Sequence, residues 1–114
     1  MKVAVIGSRK LENIDAAYNI ITESIPKNCS EIVSGGAAGI DKLAERYAAE
    51  NNLHLTVFLP EYDKYGRVAT LIRNTQIVKY ADIIYAFWDM KSEGTRKTIL
   101  KCAELEKPFK IFKL

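Results

Sequence analysis

The sequence predicts a Rossmann-like α/β fold, with helices on both faces of a five-stranded parallel sheet. Short apolar runs alternate strictly with segments of helical periodicity along the whole chain, the pattern of repeated βα units. Most of those runs are continuously apolar rather than alternating, as strands buried on both faces are. Polar, glycine-bearing turns join several runs to the helix that follows, which marks βα connections. One sequence does not dictate strand order. In the expected order, 3-2-1-4-5 with right-handed crossovers, the order reverses between strands one and four, and ligands bind at the carboxyl ends beside such a reversal.

Taken in order, Val3 to Ile6 forms the first strand and ends in Gly7-Ser8-Arg9. Leu11, Ile14, Ala17/Tyr18, Ile21 and Ile25 recur at helical spacing until Pro26 stops them. Glu31 to Ser34 is the second strand. It runs into Ser34-Gly35-Gly36-Ala37-Ala38-Gly39-Ile40-Asp41 and a helix with Ile40, Leu43, Ala44, Tyr47 and Ala48 on one face, closed by Asn51-Asn52. His54 to Leu59 is the third strand, and Pro60 to Arg67 is expected to be the longest irregular connection and a candidate functional loop. A helix over 69–80, a fourth strand over 82–88, a polar turn Asp89 to Gly94, a helix with Ile99, Cys102 and Ala103 inward, and a last strand over 109–112 complete the chain.

The 114 residues, 48% hydrophobic and 27% charged, suit one domain over residues 1–114 with a complete core. No apolar run is long enough to span a bilayer and the start does not read as a signal peptide, so a cytoplasmic location is the default expectation. Cys29 and Cys102 lack CxxC or histidine neighbours, and His54 is the single histidine. Neither a disulfide framework, a metal site nor a cofactor is expected, and a nucleophilic triad has no histidine to draw on.

A strand that ends in glycines and feeds a helix can present N–H groups to an anion, and the absence of side chains at Gly35, Gly36 and Gly39 is expected to let a ligand approach the main chain. The turn matches neither GxGxxG nor GxxxxGK[ST]. In the expected order the loops after strands one, two and four meet, gathering Gly7, Ser8, Arg9 and Lys10, then Ala37 and Asp41, then Ser92, Gly94, Thr95, Arg96 and Lys97, with Arg67, Arg73 and Asn74 nearby. Arginine forks and helix-start hydroxyls suit phosphate. Each residue also has a plainer reading: solvated surface for the cations, helix caps for Ser92 and Thr95, a dipole partner for Asp41, rim packing for Trp88, Tyr62 and Tyr65, and a strand-starting turn for Asp82.

The series Gly7-Ser8-Arg9, Ser34 to Asp41, Tyr65-Gly66-Arg67 with Ile72-Arg73-Asn74, Ala81-Asp82 before Ala86-Phe87-Trp88, and Ser92-Glu93-Gly94-Thr95 resembles the SLOG superfamily, nearest its small YspA/YpsA-related bacterial and phage branch, beside the DprA and LOG families. The resemblance implies a Rossmann-like domain that binds a nucleotide or nucleotide-derived ligand in sensor fashion. Phosphate would sit at Ser8, Arg9, Gly94 and Thr95, Arg73 and Asn74 would orient ribose or phosphate, and Trp88 or a loop tyrosine would touch the base. It also implies that homodimers occur. LOG enzymes, which cleave the base from a nucleoside monophosphate, carry PGGxGTxxE. Here only Gly94-Thr95 matches, and Thr98 stands at the glutamate position, where a hydroxyl lacks the carboxylate the chemistry needs. A binding module is therefore expected ahead of an N-glycosidase, with Asp89 or Glu93 as substitute carboxylates should there be catalysis. DprA relatives bind single-stranded DNA. With an excess of only +3 and few aromatics near the loops, nucleic acid is expected to be an unlikely partner beside a small phosphate ligand.

Overall fold

The computed structural model describes all 114 residues. Strands β1 (Lys2–Gly7), β2 (Glu31–Ser34), β3 (His54–Val57), β4 (Ile83–Trp88) and β5 (Phe109–Lys113) form one parallel sheet in the order β3-β2-β1-β4-β5. The helices are α1 (Ile14–Ser24), α2 (Ile40–Glu50), a four-residue α3 (Tyr62–Tyr65), α4 (Ala69–Tyr80) and α5 (Glu93–Glu104). Successive strand residues point to opposite faces, which explains why the central strands are apolar throughout. Val3, Val5, Tyr85 and Phe87 join the inward faces of α1 and α2 in one core, while Ala4, Ile6, Ile84 and Ala86 meet α4 and α5 in the other. Burying a large apolar side chain contributes roughly 1.5–3 kcal/mol. That stabilisation concentrates in β1 and β4, whose four middle residues are all buried, and is smallest in the edge strands β3 and β5.

Because β1 pairs with both β2 and β4, the order reverses there, and the α1/α2 and α4/α5 pairs lie on opposite faces. Asp82 ties this junction from the other end: its carboxylate accepts the Lys2 amide at 2.7 Å. Both thiols are buried, and burial raises the Cys102 pKa to about 11. No helix is long and apolar enough to cross a membrane.

Several local expectations change. The Pro60 to Arg67 connection is not irregular: the Glu61 carbonyl accepts from the amides of Lys64 and Tyr65, closing α3, and a 3-10 turn, Gly66–Val68, leads into α4. One turn of helix is too short to leave a periodic signal. β3 stops at Val57 rather than Leu59, which is 63% exposed. Ile14 keeps helical spacing yet is exposed, since Asn13 caps α1 there and the covered face begins a turn later at Ala17. Ala103 is likewise exposed on α5. Gly94 lies inside the first turn of α5, because Ser92 is the N-cap.

Candidate functional site

The turn after β2 is built from its own hydrogen bonds. Ser34 Oγ accepts the Gly36 amide at 3.2 Å and donates to the Asp41 carbonyl, Asp41 Oδ2 accepts the Ala37 amide at 3.1 Å, and the Ile40 amide donates to the Ser8 carbonyl at 3.1 Å. At Gly36 and Gly39 the chain itself fills the space that the missing side chains leave, so these two glycines do not open the main chain to a ligand, whereas Gly35 faces the cavity described below. At Gly39, with φ of +71°, a Cβ would lie 2.4 Å from the carbonyl oxygens of both Ser8 and Arg9. One at Gly35 would come within 2.8 Å of the Arg73 guanidinium, and one at Gly36 within 2.6 Å of Leu59. The glycines bring two loops and a buried arginine together, and a carboxylate already sits at the positive end of α2.

The connection after β4 is pinned differently. Ser8 Oγ, almost wholly buried, accepts the Asp89 amide at 3.0 Å, Asp89 Oδ1 accepts the amides of Lys91 and Ser92, and the Trp88 indole N–H donates to the Ser92 carbonyl at 3.0 Å. Those two amides hold the Asp89 carboxyl below its ordinary pKa. Ser92 then caps α5, accepting from Thr95 Oγ1 at 3.1 Å, and Thr98 Oγ1 donates to the Gly94 carbonyl.

Between these two connections, above the carboxyl ends of the central strands, lies a cavity of about 390 Å³. Gly7 and Arg9 line it from the end of β1, and Gly35, Ala37 and Asp41 from the turn into α2. Arg67, Arg73 and Asn74 line it from the α4 side, and Ser92, Gly94, Thr95 and Lys97 from the α5 side. Ser8, Gly36, Gly39 and Trp88 do not line it; Ser8 and Trp88 instead brace the β4–α5 connection from behind. Lys10, Arg96, Tyr62 and Tyr65 are also outside the wall, and Arg96 pairs with Glu93. Thr70 and Thr98 complete the polar wall. Sequence reasoning had passed over both as lining residues, although Thr70, Arg73, Asn74 and Ile77 follow the i, i+3, i+4, i+7 spacing of one helix face.

Arg73 is the structural centre of the cavity. It is only 6% exposed, its Nη1 donates to the Gly35 carbonyl at 2.5 Å, and its Nε donates to Asn74 Oδ1 at 2.7 Å. Nη2 has no partner within the protein. Burial lowers the Arg73 pKa from the ordinary arginine value while the Asp41 charge opposes the shift. Burial raises that of Asp41, against the Ala37 N–H and the charges of Arg73 and Arg9. Four cationic side chains, Arg9, Arg67, Arg73 and Lys97, thus face a single carboxylate. Asp89 and Glu93, the two candidate substitutes for a catalytic carboxylate, are both outside the wall.

The fold is shared with DNA processing protein A from Helicobacter pylori, a protein described by its single-stranded DNA binding mode. The two superpose with a TM-score of 0.74 at 22% identity over 97% of this chain, which spans 64% of that protein. This likeness overturns the expectation that nucleic acid is an unlikely partner: a protein described as binding single-stranded DNA has the same fold, so a modest charge excess and few aromatics do not set nucleic acid aside. No curated protein matches the chain significantly. A family model described as "YspA, cpYpsA-related SLOG family" matches residues 1–65, more than half of the sequence and the whole stretch from β1 through the glycine turn to α3, and the chain belongs to that family.

Proposed function

We propose that the protein binds a nucleotide, free or within a single strand, through a phosphate held in the cavity between the β2–α2 and β4–α5 connections. The observation that carries this reading is the charge of the wall, where Arg9, Arg67, Arg73 and Lys97 outnumber Asp41. Arginine's planar fork matches phosphate oxygens in paired hydrogen bonds. Arg73 suits the central role because its orientation is set in advance by Gly35 and Asn74, so less side-chain freedom is lost when Nη2 meets a ligand. The start of α5, with Gly94 and the hydroxyls of Ser92 and Thr95 on the wall, adds the positive end of a helix dipole. Asp41 Oδ1, free of protein partners, suits a sugar hydroxyl. The volume falls near the lower end of the roughly 300–1,000 Å³ of small-ligand sites, room for one nucleotide unit. Family membership and the likeness to a single-stranded DNA-binding protein support the same ligand class.

Titration calorimetry against nucleosides, their mono-, di- and triphosphates and a short single strand tests the reading. At least one phosphate-bearing ligand binds while its parent nucleoside does not. Arg9→Ala weakens that binding about tenfold or more, the scale of a hydrogen bond to a charged group, about 1.5–3 kcal/mol. Binding that neither Arg9→Ala nor Arg67→Ala changes overturns it.

A further inference from the structure

The cavity does not end at α4 and α5. Both helices start at the carboxyl edge of the sheet, and a second groove, of about 470 Å³, runs along the seam between them toward their C-terminal ends. The two spaces share Leu71, Asn74 and Lys97 as common wall. Beyond that saddle the groove has two unlike borders. Leu71 and Leu100, 44% and 53% exposed, supply apolar surface, and Lys79 and Lys101 supply positive charge, with Glu104 paired to Lys101 at 3.0 Å. An exposed pair of this kind is weak and readily exchanged for another anion. Lys97 and Lys101 are four residues apart on one helix, about 6 Å at 1.5 Å per residue, comparable with one step between phosphates of an extended strand. The repeated combination of a cation for the backbone and an apolar side chain for a base is what a single strand requires, here with leucines in place of aromatic rings.

We infer that the groove between α4 and α5 receives the next nucleotide of a single-stranded nucleic acid whose terminal or adjoining phosphate occupies the cavity, the strand crossing at Asn74 and Lys97. This rests on the nucleotide reading of the cavity and extends it from a unit to a track. Charge complementarity selects the occupant: the groove borders carry Lys79, Lys97 and Lys101 against Glu104 alone.

The test compares thymidine 5′-monophosphate with 5′-phosphorylated trithymidylate by calorimetry at fixed salt, on the whole chain and on Lys79→Glu/Lys101→Glu, with circular dichroism to establish that the variant is folded. The trinucleotide binds the unsubstituted chain at least tenfold more tightly than the mononucleotide, and in the variant that ratio falls below two. The salt dependence of trinucleotide binding also becomes shallower in the variant, since a phosphate contact is lost. A ratio below two in the unsubstituted chain, or one that the substitutions leave unchanged, overturns the track while mononucleotide binding sensitive to Arg9→Ala keeps the cavity reading. Trinucleotide binding indifferent to both Arg9→Ala and Arg67→Ala overturns both, and binding of neither probe overturns the track, while the cavity reading is then decided by the wider nucleotide panel.

Discussion

After β2 the chain passes through Gly35, Gly36 and Gly39 into α2; after β4 it passes through Asp89 and Ser92 into α5, with Gly94 in the first helical turn. The first connection has more glycine and so looks the better open cradle. In three dimensions its glycines are closed by Arg73, Leu59 and the carbonyls of Ser8 and Arg9, whereas nothing lies within 4 Å of a Cβ placed on Gly94. The difference separates two uses of glycine, close approach within the chain and open surface facing a cavity, that composition alone does not distinguish. It also separates two helix starts: the carboxylate at the α2 start, Asp41, lies on the cavity wall, while those at the α5 start, Asp89 and Glu93, lie outside it and Lys97 is on the wall instead.

The largest test of this contrast is Gly39→Ala. A methyl group there meets two backbone oxygens at a positive φ, and backbone strain plus overpacking is expected to cost about 3 kcal/mol in urea unfolding. A loss under about 0.5 kcal/mol would mean that the two loops are not held together as described.

Asp41→Asn probes the charge at the same turn and is expected to act more weakly and with pH. The folded pKa of Asp41 is raised by burial above its ordinary 3.8, so its contribution to stability is fully present below the unfolded value and is lost as pH rises through the folded one. The asparagine variant, which keeps an oxygen for the Ala37 amide, is therefore expected to gain on the unsubstituted chain near neutrality. The gap closes as pH falls toward the ordinary aspartate value, as read from urea midpoints across that range. A gap that widens in acid contradicts the assignment.

The smallest effect is opposite in sign to that of Gly39→Ala. Gly94→Ala meets open space on a helix, and replacing a helical glycine by alanine is expected to stabilise by about 0.5 kcal/mol in the same urea assay. Destabilisation there would show that the α5 start is as tightly closed as the α2 start.

Much of the crevice could be read before the structure because its residues either follow strand ends, which hydrophobic runs bounded by glycine and charge mark, or sit as polar and basic residues on the helices that those connections feed. Arg9, Arg73, Asn74 and Thr95 were legible in this way. Ser8 and Trp88 were not, since each looks like a site residue from its position and is turned to bracing by a single partner distant in sequence or hidden in a turn: the Asp89 amide for Ser8, the Ser92 carbonyl for Trp88. Thr70 shares a helix face with Arg73 and Asn74, and Thr98 stands out in the sequence only as a departure from the LOG motif; that both line the cavity depends on how α4 and α5 face each other.

By itself the sequence determined the five strands and the principal helices, because periodicity and continuous apolar runs are local properties dictated by which faces must leave water, while the resemblance to the family rested on its motif residues. Only the tertiary structure decided which glycines admit the chain and which face a cavity, and that Arg73 is drawn inward to the Gly35 carbonyl. It also decided that the cavity continues into the groove between α4 and α5. Each of these depends on atoms from segments far apart in sequence, such as residues 35 and 73, whose separation is set by packing across the sheet and has no trace in the residues immediately around them.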